Sequence, residues 1–144
     1  MRFKPMALLL LAIALSPPHA AICAEADWIL LDENKESSFF YDKTGSTRVR
    51  EGVVQVRTRV VYTELGKKEA IKVLKELPEP ARLYESRYIH EIDCIEQEGR
   101  LLAATHFDQK GAILRSTDLD PVTVMEYLSP GTRMAVIANE ACGR

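Results

Sequence analysis

Ten apolar residues near the N-terminus, Met6 to Leu15, determine where this chain folds and therefore what can hold it together. Arg2 and Lys4 precede the run and Ser16-Pro17-Pro18 end it, which is the arrangement of a secretory signal peptide. A transmembrane helix needs about 20 apolar residues, so the run is too short to span, and the prolines break it. Signal cleavage requires small residues at the first and third positions before the cut, and Ala24-Glu25-Ala26 supplies them. Residues 1–26 are therefore expected to be the signal peptide and residues 27–144 the mature domain, with Asp27 as its N-terminus. A cut after Ala24 is the alternative. Membrane attachment would follow only if Cys23 were lipidated, and Ile22 stands where a lipoprotein signal places Gly, Ala or Ser.

Once Cys23 leaves with the signal, Cys94 and Cys142 remain in an exported chain, where paired thiols persist as disulfides. Two cysteines allow a single intramolecular pairing. Closing a loop of about 48 residues stabilises a fold by ~4 kcal/mol in the chain-entropy treatment. Two separate buried thiols, or a redox or metal site, are the competing readings, and the chain has no CxxC spacing to support a redox or metal site.

The 144 residues suffice for one domain, and 47% hydrophobic with 28% charged residues is the composition of a folded soluble chain. Trp28 to Asp32 and Ser37 to Asp42 read as a β-hairpin, followed by an Asp-Gly turn at residues 42–46. Val54, Val56, Thr58, Val60 and Tyr62 alternate with Gln55, Arg57, Arg59, Val61 and Thr63, the period of a strand with one buried and one wet face. From Lys67 to Leu77 the spacing is helical, with Ala70, Ile71, Leu74 and Leu77 as its apolar positions, and Pro78 stops the run. Leu83 to Gln97, Arg100 to Phe107 and Ala112 to Leu119 read as an antiparallel meander. Ser129 is expected to cap a last helix with Pro130 at its first position and Cys142 at its end. The fold class is thus α+β: an antiparallel β-sheet meander with one crossing helix and a disulfide-tethered C-terminal helix.

No residue constellation calls for catalysis, a cofactor or a metal. His90-Glu91-Ile92-Asp93-Cys94 superficially looks like a ligand cluster, but on a strand Glu91 and Asp93 point away from His90 and Cys94. A small hydrolase, the third class of reading, would place its pocket near His90 or His106. Neither a Gly-x-Ser-x-Gly elbow nor a phosphate-cradling glycine loop is present. Charge is more informative. Without the signal the chain carries 17 basic and 20 acidic residues, a net charge of −3, yet residues 43 to 87 hold eleven basic residues against six acidic ones. Arg57 and Arg59, with Lys67, Lys68, Lys72 and Lys75, form a candidate basic patch for an acidic partner, the bland alternative being a solvated, salt-paired surface.

Trp28, Phe40-Tyr41-Asp42, Gly52 before an alternating strand, Ser86 to Asp93-Cys94, and Pro130-Gly131-Thr132 leading to Ala141-Cys142 together resemble the surface-adhesin protein E family over nearly all of the mature chain. The resemblance implies a small exported domain of the Gram-negative envelope, periplasmic or at the cell surface, in which an antiparallel sheet packs with a C-terminal helix and Cys94 pairs with Cys142. It implies a binding function with an extracellular protein as partner and a homodimer as a further assembly; the basic patch offers a glycosaminoglycan-like polymer as the other partner, and neither enzyme activity nor a nucleic-acid partner is expected. A periplasmic accessory protein without a host ligand is the second reading. At Gln55-Val56-Arg57 and Met125-Glu126-Tyr127 the chain departs from the family's aromatic positions, so no binding residue carries over.

Protein exported by its own signal should have an intact mass that starts at Asp27 and takes up no thiol-alkylating reagent. A species starting at Cys23, or alkylation of Cys94 and Cys142, would contradict this reading.

Overall fold

A computed structural model describes residues 25–143. The segment up to Ala24, which holds most of the expected signal peptide and Cys23, lies outside the described residues. The chain runs β1 (Trp28–Glu33), β2 (Ser37–Asp42), β3 (Thr47–Arg50), β4 (Val53–Tyr62), α1 (Glu64–Val73), a 3-10 turn at Pro80–Arg82, β5 (Leu83–Asp93), β6 (Glu98–Asp108), β7 (Ile113–Asp118), β8 (Glu126–Tyr127) and α2 (Arg133–Cys142). The strands form one antiparallel sheet in the order β1-β2-β4-β5-β6-β7, with β3 added to the edge of β4 and β8 to that of β6.

The alternation in β4 governs what each face of the sheet carries. Phe39 lies opposite Val60, Tyr41 opposite Thr58 and Val56 opposite His90, so these residues share one face with Ser86, Tyr88 and Ile92. α2 packs there. Its Ile137 is fully buried in a core with Phe39, Tyr41, Val56, Val60 and Ile92, and Met134 and Ala138 flank it. The Cys94–Cys142 disulfide, with Cα atoms 5.7 Å apart, ties the end of α2 to the chain just beyond β5. Arg133, at the start of α2, stacks 5.0 Å from the Phe39 ring and bonds Asp32 at 2.8 Å and Ser37 at 3.0 Å, which fixes the other end of the helix. The α+β class, the meander and the tethered terminal helix expected from the sequence are all present.

Two boundaries differ from expectation for local reasons. α2 is capped by Thr132, whose Oγ1 accepts from the Ala135 N–H at 3.2 Å, and not by Ser129. Gly131 lies between them with φ +79°, a left-handed conformation that no helix can contain. α1 starts three residues early and stops well before Pro78. Thr63 caps it, accepting from Gly66 N–H at 3.1 Å while its hydroxyl donates to the Glu36 carbonyl at 3.0 Å. Its end is a turn in which Glu76 has φ +64°.

α1 meets the β1–β2 turn so closely at Gly66 that a Cβ there would stand 1.8 Å from the Glu36 carbonyl oxygen. Helix propensity alone makes Gly→Ala favourable by about 1 kcal/mol. Gly66→Ala should instead destabilise by roughly 1–3 kcal/mol, as overpacking does. Urea unfolding measures the sign, and a stabilised variant would contradict this contact.

Candidate binding surface

Among the described residues, the face of the sheet turned away from α2 carries no helix. Period 2 brings to it the residues that alternate with the core set: Trp28 and Leu30 on β1, Phe40 on β2, Arg57 and Arg59 on β4, Arg87 and Ile89 on β5, and Phe107 on β6. Phe40 is opposite Arg59, and Arg59 is opposite Arg87. Two like charges facing one another across a ladder repel, unless a counter-charge lies between them. Glu85 supplies it. Its Oε2 takes Arg59 at 2.5 Å and its Oε1 takes Arg87 at 2.7 Å, and the carboxylate is buried. So held, the two guanidinium groups lie among three rings: Arg59 is 5.6 Å from Phe40 and 6.0 Å from Trp28, and Arg87 is 6.0 Å from Trp28 and 4.5 Å from Phe107.

The same construction recurs around this cluster. Arg57 reaches fully buried Asp42 at 2.5 Å, and Arg100 reaches buried Glu91 at 3.1 Å, with Arg50 at 3.6 Å on the other oxygen. Burial pushes the Asp42 carboxyl up, but hydrogen bonds from Thr44, the Arg57 charge and the Asp27 N–H outweigh it and hold the group below the usual carboxylate range. In each pair the carboxylate lies beneath the surface and an arginine covers it. Such a surface presents flat, oriented guanidinium groups while its net charge stays small.

The six residues of the expected basic patch divide between two settings. Arg57 and Arg59 belong to the helix-free face. Lys67, Lys68 and Lys72 ride on α1, with Lys67 on Glu64 at 2.9 Å and Lys72 on Glu69 at 2.7 Å, and Lys75 lies in the turn beyond, where its carbonyl accepts from Arg115 at 2.9 Å. The end of α1 faces the opposite side of the sheet: Val73, Leu74 and Leu77 line a cavity of about 480 Å³ with Tyr88, Ala104 and His106.

That opposite side holds a polar network inside an apolar setting. Ser86, fully buried, is linked to His106 Nδ1 at 2.7 Å and accepts from the Tyr62 hydroxyl at 3.0 Å, while Thr58 meets His90 Nε2 at 2.9 Å. Burial pushes the Tyr62 hydroxyl up, lowers His90 to about 4, and with Arg115 lowers His106. Among the described residues no group of three or more His, Cys, Asp or Glu side chains is placed to hold a metal ion. Sequence reasoning found Arg57 and Arg59 but not Trp28, Phe40, Arg87 or Phe107. The alternation in the other strands carries that signal, once the register is known.

The family model for surface-adhesin protein E matches residues 28–143. The chain belongs to the surface-adhesin protein E family. Two solved structures of Haemophilus influenzae protein E share its fold. One, crystal form II, is 18% identical with a TM-score of 0.59, covering 92% of this chain and 97% of that one. The other is 17% identical with a TM-score of 0.56, covering 90% and 91%. Among curated protein sequences none matches this chain. A family of this kind is adhesin-like and surface-exposed or exported, and among the described residues no helix is long and apolar enough to cross a membrane.

Neutral His90 and His106 give a specific acid response. A histidine whose folded pKa is depressed contributes stability that is complete above about pH 6.5 and is lost as pH falls through its folded value. For His90 that window runs from about pH 6.5 down to about 4, and the loss should be about 2 kcal/mol, since the ring still borders an open groove. His90→Gln should flatten the stability profile in this range. An unchanged profile would show that His90 does not titrate as described.

Proposed function

We propose that this protein is an exported, non-catalytic binding protein of the adhesin type that recognises an extracellular protein with the helix-free face of its sheet. Residues 1–26 act as the signal peptide and residues 27–144 as the mature domain in this reading. The observation that carries it is the cluster of Trp28, Phe40 and Phe107 around Arg59 and Arg87. Tryptophan and arginine dominate the energetics of protein interfaces, because each adds a large planar contact at modest entropic cost. Here Glu85 has already ordered both arginines, which lowers what binding must spend on immobilising them. Leu30 and Ile89, both exposed on the same face, extend the apolar area beside the cluster.

A polyanion such as a glycosaminoglycan needs a surplus of positive charge, whereas Arg57, Arg59, Lys67 and Lys72 each have a carboxylate within 3 Å. Protein recognition is therefore favoured over polymer recognition, with affinity that changes little with added salt.

Binding of the purified mature protein to immobilised extracellular-matrix and serum proteins, and to heparin, tests the proposal. Trp28→Ala and Arg87→Ala should each weaken protein binding about tenfold or more, as loss of an interface anchor does. Lys72→Ala on α1 should leave it unchanged. Steeply salt-sensitive heparin binding that depends on the α1 lysines would favour the polymer instead, and no binding to any extracellular protein would favour an envelope accessory role.

A further inference from the structure

Asp27 meets Asp42 in an arrangement whose charge depends on whether the chain has been processed. The backbone N–H of Asp27 donates to Asp42 Oδ1 at 3.2 Å, and the Asp27 carbonyl accepts from Lys43 N–H at 3.0 Å, so both backbone groups of this residue are fixed at the end of the β1–β2 ladder. Asp42 itself is fully buried. Its Oδ1 also accepts from Thr44 N–H at 3.0 Å and Thr44 Oγ1 at 2.8 Å, while Arg57 approaches Oδ2 at 2.5 Å along a direction that makes no hydrogen bond. A buried carboxylate with one cation on one oxygen and a main-chain nitrogen on the other can accept a second cation where that nitrogen lies.

We infer that Asp42 is the receptor for the α-ammonium group that signal cleavage creates on Asp27, so that maturation gives this buried carboxylate an ion pair which the precursor lacks. The inference rests on the proposed cut between Ala26 and Asp27. Hydrolysis adds water across that bond, leaving a carboxylate on Ala26 and an amine on Asp27 that is protonated at neutral pH. The nitrogen stays at its position 3.2 Å from Oδ1, but a neutral amide has become a cation. The other charged groups of this corner are Arg57 on β4, Lys43 beside Asp42, and the side chain of Asp27. Arg57 is about half exposed, so water screens its repulsion of the new ammonium, and the two cations occupy opposite oxygens of the carboxylate.

The test compares three forms of the mature chain by urea unfolding: one starting at Asp27 with a free amine, the same form N-acetylated, and one starting at Glu25. Acetylation removes the charge and leaves Asp42 and its other partners intact, so loss of folding does not confuse the result. A paired ammonium titrates at raised pH in the folded state, so its contribution is complete below the ordinary α-amino value near pH 8 and disappears above the raised one. The free-amine form should have a folding equilibrium constant about tenfold larger than the other two near pH 6, and the three should converge near pH 10. Equal stability of the three forms near pH 6 would overturn the inference. If the free-amine form is favoured but the exported protein has a mass starting at another residue, the cleavage site has failed. The pairing chemistry then stands unused, and the claim that maturation installs it falls.

Discussion

The Cys94–Cys142 bridge holds α2 against one face of the sheet, and much else follows from that choice of face. Ile137 fills the centre of the core because the helix cannot leave, and Arg133 pins the opposite end through Asp32, Ser37 and the Phe39 ring. A sheet flanked on one side by helices needs apolar residues on that side alone. The other side is then available for chemistry that a core would not tolerate, and it carries paired arginines among aromatic rings.

Buried carboxylates organise that open side. Glu85, Glu91 and Asp42 each lie beneath an arginine, and each would be costly to bury without one. The arginines gain fixed orientation in return. Such a surface differs from the two simpler ways a sheet can face water: a mosaic of lysine and glutamate that resists association, and an apolar patch that invites aggregation. The interior adds a second polar system, the Tyr62–Ser86–His106 chain and the Thr58–His90 pair, whose bonds satisfy the hydroxyl and imidazole groups that the core encloses.

Much of this was legible in the sequence because its strongest signals are local. Val54 to Tyr62 alternates so regularly that both strand and buried face were readable, and β1, β2, β5, β6 and β7 fall close to the expected segments. The tether between α2 and Cys94 followed from compartment and cysteine count. β3 and β8 were missed, since Thr47–Arg50 and Glu126–Tyr127 are short and show no buried face: their pairing depends on long strands already in place. The early start of α1 at Glu64 depends on its cap Thr63 meeting the Glu36 carbonyl, 27 residues away in sequence. For the binding surface, the arginines of β4 were placed on the wet face, but the rings around them come from β1, β2 and β6. Their meeting is a matter of register, which no single segment encodes.

The most direct test of the division between the two faces is hydrogen exchange on the protein bound to whichever extracellular protein it holds most tightly. Recognition through the helix-free face predicts added protection in β1 around Trp28–Leu30 and in β5 around Arg87–Ile89, with exchange in α2 unchanged. Protection confined to α2 and the neighbouring β8 segment, with β1 and β5 unaffected, would place recognition on the closed face and contradict the account.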